Sequence, residues 1–179
     1  VDRQIGEIMD LLKKLRIDDD TIVFISGDNG GKTYFKSDKY PHGFLAPNLN
    51  PETGERFRGG KGDFYEGGIR VPFIARWPGK IKAGTVSEHL GYFPDVMPTL
   101  AELAGVKPRK DTDGISFVPT LLGEKKAKRK QEQHEYLYWE DPKSCAVRMG
   151  HWKAVRPNKT RPFELYDLSK DLEELDNVA

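Results

Sequence analysis

The order of apolar and polar positions along the chain predicts helices and strands in alternation. Residues 3–16 carry apolar side chains at helical spacing, which predicts an amphipathic helix: Ile5, Ile8, Met9, Leu12 and Leu15. The apolar, β-branched run at 21–26 predicts a short buried strand of the parallel type. Residues 69–77 predict a second strand, and residues 85–90 predict a short third one.

The pattern changes character after residue 91. Residues 92–105 predict a second helix, which begins between its two prolines and ends at Gly105. Short alternating segments at 136–140, 144–157 and 163–168 predict antiparallel strands. Aromatic side chains at strand spacing in these segments are expected to pack in the core: Tyr138, Trp139 and Trp152.

These elements predict an α/β fold with a small appendage. Residues 1–123 are expected to form part of a sheet covered by helices. The charged stretch at 124–135 marks a boundary, so residues 124–179 are expected to form a small antiparallel α+β subdomain. The predicted strands are few for a covered sheet, and the chain opens inside a helical pattern without an initiator methionine or a signal peptide. We therefore expect a fragment of a longer protein.

Composition argues against nucleic-acid and membrane partners and excludes an intrachain disulfide. The 179 residues carry 29 basic and 28 acidic side chains, a net charge of +1, so we expect neither nucleic acid nor a membrane surface as a partner. No apolar run approaches the roughly 18 residues that suggest a membrane helix. Cys145 is the one cysteine, so no intrachain disulfide can form.

The segment between the first two strands, residues 27–68, is the candidate for function. It is rich in glycine, proline and asparagine, and connections of this length are usually functional or disordered. Asp28 and Asn29 follow the first strand and are flanked by glycines, which suits either a turn or a cation site with oxygen ligands. Lys61 lies between Gly60 and Gly62, which suits either solvated surface or contact with an anion. The phosphate-loop and dinucleotide patterns both fail there.

Two segments together resemble a known family. They are "FISGDNGG" and "RGGKGDFYEGGIRVPFIARWPGKI". In this order they resemble the C-terminal half of the type I sulfatases of the alkaline phosphatase superfamily. The helix "DVMPTLAELAGV" and the ending "FELYDLSKDLEE" are similar as well, so the resemblance covers essentially the whole chain. It implies that residues 1–123 are the C-terminal part of an alkaline-phosphatase-like α/β domain.

The resemblance also implies roles for particular residues. Asp28 and Asn29 would be calcium ligands, and Lys61 would be a catalytic residue that contacts the sulfate group. His42 and Arg58, with Arg56 beside them, are further candidates for binding an anionic substrate. The family's nucleophile is a formylglycine, and Cys145 does not lie in the motif from which that residue is made. The formylglycine is therefore expected in an N-terminal half that this sequence does not include.

The predicted function is a share in the hydrolysis of aryl or carbohydrate sulfate esters. The alternatives are a phosphate or phosphonate ester hydrolase of the same superfamily, and a non-catalytic calcium-binding module. A sulfate-ester substrate is the expected partner, and the resemblance implies a periplasmic or secreted protein. The chain by itself is expected to be inactive and to self-associate through a sheet edge that lacks its neighbouring strands.

Overall fold

The computed structural model describes residues 1–32, 38, 48–109 and 111–179. His42, one of the predicted substrate residues, lies outside these described residues. Helix α1, Asp2–Lys14, is the longest helix within them, with 13 residues. None of the helices in the described part has the length and apolar character required to cross a membrane.

The chain forms two compact units, and each unit joins two separate stretches of sequence. The first unit contains residues 1–25 and 73–134. Besides α1, it holds strand β1, Val23–Ser26, whose last residue belongs to the second unit, and strand β2, Phe73–Arg76. A 3₁₀ turn, Phe93–Asp95, and three short helices follow: α3 Val96–Leu103, α4 Val118–Leu122 and α5 Glu124–Ala127. Strands β1 and β2 pair as a two-stranded sheet.

The second unit contains residues 26–72 and 135–179. It holds the short helix α2, Glu66–Ile69, and four strands: β3 Leu137–Glu140, β4 Cys145–Met149, β5 Trp152–Arg156 and β6 Glu164–Asp167. The strands form an antiparallel sheet in the order β3-β4-β5-β6. One face of this sheet packs in a core of apolar and aromatic side chains: Tyr65, Ala146, Val155, Tyr166 and Leu168.

Several predicted elements are confirmed. The second helix begins at Val96, between Pro94 and Pro98 as predicted, after a 3₁₀ turn. Gly105 follows that helix with a φ of 69°, the left-handed conformation that ends helices and favours glycine. All three alternating segments near the C-terminus form antiparallel strands, and the middle one supplies two of them.

Other predictions about elements are wrong. Residues 85–90 form no strand, and Val86 is 91% exposed. The second strand is shorter than predicted, since Ile69 belongs to helix α2. The strand at 23–26 is half-buried instead of fully buried.

The aromatic residues of the C-terminal strands also divide differently from the prediction. Tyr138 and Trp152 are largely exposed, whereas Trp139 packs against the core. Side chains alternate across a strand, so the inward positions belong to Leu137 and Lys153. The boundary proposed between residues 123 and 124 remains a prediction, and the compact units follow a different, interleaved division.

Candidate functional site

The first part of the site is the turn after strand β1. Asp28 is exposed there, and the amide nitrogen of Asn29 donates to the Gly30 carbonyl at 3.0 Å. Gly30 N donates to Gly68 O at 2.8 Å. A Cβ atom on Gly30 would lie 1.7 Å from the Gly67 carbonyl oxygen, so no side chain fits. The glycine after Asp28 and Asn29 is therefore required by this close main-chain contact, which fixes where their turn lies.

The second part is the loop that carries Lys61. Its amide donates to the Gly31 carbonyl at 3.1 Å, and a Cβ atom on Gly60 would lie 2.6 Å from the same oxygen. Gly60 N donates to the Asp63 carboxylate at 3.0 Å, which closes the loop on itself. The structure thus joins the turn of Asp28 to the loop of Lys61, more than 30 residues further along, through main-chain contacts.

An open cavity of about 290 Å³ lies between these two segments. Its lining consists of main-chain glycines and four charged residues: Gly31, Gly59, Gly60, Lys32, Arg56, Lys61 and Asp63. Three of the four charged residues are basic, and Asp63 already accepts from a main-chain amide. The lining therefore favours an anion, and the Lys61 side chain is exposed toward solvent.

Arg58 precedes this loop and makes its contacts inside the protein. Its guanidinium donates to the Tyr166 hydroxyl at 2.5 Å and to the Glu174 carbonyl at 3.1 Å, and it lies 3.3 Å from a Glu164 oxygen. The same group stacks 4.2 Å above the centre of the Tyr65 ring. About 37% of the side chain remains exposed, so the predicted role of Arg58 in binding substrate stays a prediction.

Glu164 holds the two tyrosines of this group together. One of its oxygens accepts from the hydroxyls of Tyr65 and Tyr166, each at 2.6 Å. Burial works to raise the pKa of Glu164, but these two hydrogen bonds and the charge of Arg58 lower the pKa below its ordinary value. Burial, together with donation to Glu164, raises the pKa of both tyrosines. The carboxylate is therefore charged and the hydroxyls are protonated at neutral pH.

A cluster of buried charges lies after the Lys61 loop, at the start of helix α2. The Lys153 ammonium lies 2.9 Å from a Glu66 oxygen and 2.9 Å from a Glu174 oxygen. All three side chains are almost completely inaccessible to solvent. Arg70 pairs with the other Glu66 oxygen at 3.0 Å, and Arg148 approaches it at 4.0 Å. We call Glu66, Lys153 and Glu174 the Lys153 cluster.

The two carboxylates of this cluster differ in their titration. Burial works to raise the pKa of Glu66, but Lys153, Arg148 and Arg70 lower it below the ordinary value. The pKa of Glu174 is raised, because its burial outweighs the attraction of Lys153 and Glu66 adds a second negative charge. Glu66 is therefore the more firmly ionised partner of Lys153.

Asp28 and Asn29 suit calcium in the kind of ligand but not in number. Carboxylate and amide oxygens are ligands that this ion prefers, and it takes roughly 6–8 of them. The described residues contain no cluster of three or more histidine, cysteine or acidic side chains that could hold a metal. A bound calcium ion would therefore need oxygen ligands besides these two. Cys145, in strand β4, is buried and lies in no such cluster.

Comparisons with known proteins identify the family. A sequence model described as "Sulfatase" matches residues 1–106, and one described as "N-sulphoglucosamine sulphohydrolase, C-terminal" matches residues 56–179. The chain belongs to the sulfatase family. The N-acetylgalactosamine-6-sulfatase of Mus musculus is 34% identical over 181 residues, which cover 100% of this chain and 32% of that protein. Arylsulfatase A of Bos taurus is 36% identical over 156 residues, which cover 86% of this chain and 28% of that protein.

Solved structures of sulfatases have the same fold. A protein in complex with its substrate, D-glucosamine-2-N,6-O-disulfate, matches with a TM-score of 0.72 at 27% identity. The match covers 99% of this chain and 34% of the other. This likeness confirms the predicted fold class. The sulfatase chain described here thus spans about a third of the length of these relatives.

The Lys153 cluster is the part of the site that sequence reasoning missed. A signal for it exists, because Lys153 occupies a core-facing position in an alternating strand. Its neighbours Trp152 and Ala154 point to the other face, while Val155 is buried beside it. A lysine at such a position requires buried carboxylates, but the pattern does not say which ones. The roles of Asp28, Asn29 and Lys61 in the sulfatase site remain predictions.

Proposed function

We propose that this chain is the C-terminal portion of a sulfatase that hydrolyses sulfate esters of carbohydrates. The main observation in support is the main-chain joining of the Asp28 turn to the Lys61 loop around a cavity with a basic lining. Membership in the sulfatase family supports the reaction class. A relative named for a sulfated amino sugar and a similar structure solved with a disulfated glucosamine support a carbohydrate sulfate as the substrate.

In this proposal Lys61 binds an oxygen of the sulfate group. Negative charge on those oxygens must be stabilised as the bond between sulfur and the ester oxygen breaks. At an effective dielectric constant near 20, one charge pair at 4 Å contributes about 4 kcal/mol. Lys61 suits this task because its side chain is exposed beside a cavity that Lys32 and Arg56 also line.

Asp28 and Asn29 would hold a calcium ion. Asn29 would bind it through the side-chain oxygen, because the side-chain nitrogen donates a hydrogen bond to the Gly30 carbonyl. The ion, when bound, would supply positive charge toward the sulfate. The nucleophilic formylglycine would come from outside this sequence. We further propose a periplasmic or secreted location, by analogy with the family.

The role of Lys61 can be tested in the complete enzyme with paired sulfate and phosphate esters of 4-nitrophenol. We expect Lys61→Ala to lower kcat for the sulfate ester about a hundredfold or more, because it removes one preorganised charge. The melting temperature should barely change, since this lysine is exposed and flanked by glycines. Lys159→Ala, an exposed lysine in the same unit, is the matched control. Preferential hydrolysis of the phosphate ester would refute the proposed reaction.

The calcium assignment can be tested by metal content as well as by activity. Asp28→Ala in the complete enzyme should lower both the bound calcium, measured by mass spectrometry, and the turnover. Asp20 is an exposed aspartate just before strand β1, and Asp20→Ala should change neither the calcium content nor the turnover. Normal calcium content in Asp28→Ala would exclude Asp28 as a ligand.

A further inference from the structure

Both ends of the Lys61 loop are bound to one residue, Glu174. Before the loop, Arg58 donates to the Glu174 carbonyl at 3.1 Å. After the loop, the main-chain amide of Glu66 donates to the Glu174 carboxylate at 2.5 Å. Glu174 lies more than 100 residues further along the chain, in the C-terminal segment, so these contacts close the loop against a distant part of the same unit.

Glu174 is held in an unusual state for a glutamate. Its side chain is completely buried, and its φ of 59° lies in the left-handed region that residues other than glycine rarely adopt. Such a conformation costs free energy and persists only where the surroundings enforce it. Here Arg58, Glu66 and Lys153 bind its carbonyl and carboxylate oxygens. The fold thus maintains a strained, buried glutamate at the point where the two loop ends meet.

The Lys61 loop is rich in glycine, and main-chain contacts fix its course. Gly59 and Gly62 both adopt positive φ angles, and Lys61 is exposed with glycine on each side. Two hydrogen bonds join Gly60 and Asp63, and one joins Lys61 to Gly31. A further one, from Gly67 N to Arg58 O at 2.8 Å, joins the two ends of the loop. Glycines give a chain wide conformational freedom, so the position of the Lys61 ammonium depends on how firmly the loop ends are held.

We propose that Glu174 is a positioning residue for Lys61: it clamps both ends of the loop and so fixes the ammonium against the sulfate oxygens. Lys153 supports the clamp by supplying the positive charge that keeps the Glu174 carboxylate in place. This inference rests on the proposed function, because it requires that Lys61 contacts the substrate. It assigns the C-terminal segment a role in turnover although no residue of that segment lines the cavity.

The experiment is a double-mutant cycle in the complete enzyme, with 4-nitrophenyl sulfate as the substrate. Glu174→Gln keeps the shape of the side chain but weakens its pairing with Lys153. Misplacement of a catalytic group by about 1 Å can cost about a hundredfold in rate, so we expect kcat to fall about tenfold to a hundredfold. The KM should change less than about twofold, because an interaction made in the transition state is weakened.

The decisive comparison is with Lys61→Ala. If Glu174 acts through Lys61, Glu174→Gln should lower kcat little further once Lys61 is absent. An equal proportional loss in both backgrounds would overturn the inference, since it would show a general structural effect. If Lys61→Ala alone left kcat unchanged, the proposed role of Lys61 would fail first, and the positioning role would fail with it.

Two further variants keep the test decisive. Glu173→Gln, one residue earlier, removes a carboxylate that binds Asn50 and Thr53 outside the loop, and it should leave kcat unchanged. Tyr166→Phe replaces Glu174→Gln if the latter does not fold, because it removes a single hydroxyl, which accepts from Arg58 and donates to Glu164. It should lower kcat by a few-fold, and that loss should also vanish in the Lys61→Ala background. A loss that persists there would count against the clamp.

Discussion

The Lys153 cluster of the second unit and helix α1 of the first unit differ in what they bury. The second unit buries the charges of Lys153, Glu66 and Glu174 beneath an antiparallel sheet. In the first unit, helix α1 buries none of its residues, and apolar side chains such as Ile8 and Leu11 are more than half exposed. Helical spacing predicted α1 correctly without saying whether a core covers its apolar face.

The two regions differ in how far apart in sequence the residues that specify them lie. A helix such as α1 can be predicted from the spacing of neighbouring apolar residues, without knowledge of its tertiary contacts. The arrangement of the Lys61 loop depends on pairs of residues that are far apart in sequence, such as Glu66 with Lys153. Substitutions in the Lys153 cluster and at the packed glycines of the Lys61 loop should therefore have large effects, and those in α1 should have small ones.

The largest effect is expected at the buried lysine. Lys153→Met in the complete protein should lower the free energy of unfolding by about 3–5 kcal/mol, because it leaves buried carboxylates without their partner. Urea unfolding would measure the difference. Lys159→Met, at an exposed position after the same strand, should change the value by less than about 0.5 kcal/mol. Equal effects of the two substitutions would show that the Lys153 cluster does not contribute specifically to the stability of the protein.

A smaller effect is expected at a glycine with no room for a side chain. A Cβ atom on Gly67 would lie 2.4 Å from the Arg58 carbonyl oxygen and 2.7 Å from that of Gly59. Gly67→Ala should therefore cost about 1–3 kcal/mol of stability, the usual range for overpacking. It should also lower turnover, because the displaced main chain belongs to the Lys61 loop.

Gly6, in helix α1, is the matched control for Gly67. A Cβ atom there would meet nothing within 4 Å. Gly6→Ala should stabilise the protein by about 0.5–1 kcal/mol, since alanine is the better helix former. Thermal unfolding would distinguish opposite signs for the two substitutions, and a shared sign would contradict the contrast between the units.

The smallest expected effect concerns pH and the first unit. Burial lowers the pKa of His89, and the nearby charge of His134 lowers it further, while Asp95 opposes both. The unfolded chain therefore binds a proton at this histidine before the folded protein does. The resulting stability is present above the ordinary histidine pKa of about 6.5 and is lost as pH falls below it. His89→Gln should flatten the pH dependence of unfolding between about pH 7 and 5, which urea unfolding at several pH values would measure. An unchanged pH dependence would contradict this assignment.

The sequence by itself determined the local elements and the family. Helix α1, the helix at 96–103 and the four antiparallel strands follow from spacing, prolines and alternation, because these signals lie within a few residues of each other. The glycine-rich segments around Asp28 and Lys61 were enough to predict the sulfatase family, since the order of their residues is specific. Spacing could not show that Tyr138 and Trp152 face solvent, because alternation leaves open which face of a strand is buried.

Only the tertiary structure decided how the candidate site is built. It set Gly30 against Gly67, and it joined Glu66, Lys153 and Glu174 from three separate segments of the chain. No local pattern specifies such pairs, because many lysines and glutamates are available and most of them are solvated. The cost of burying a charge is repaid only by a partner with the right geometry, and the fold alone determines which residues meet.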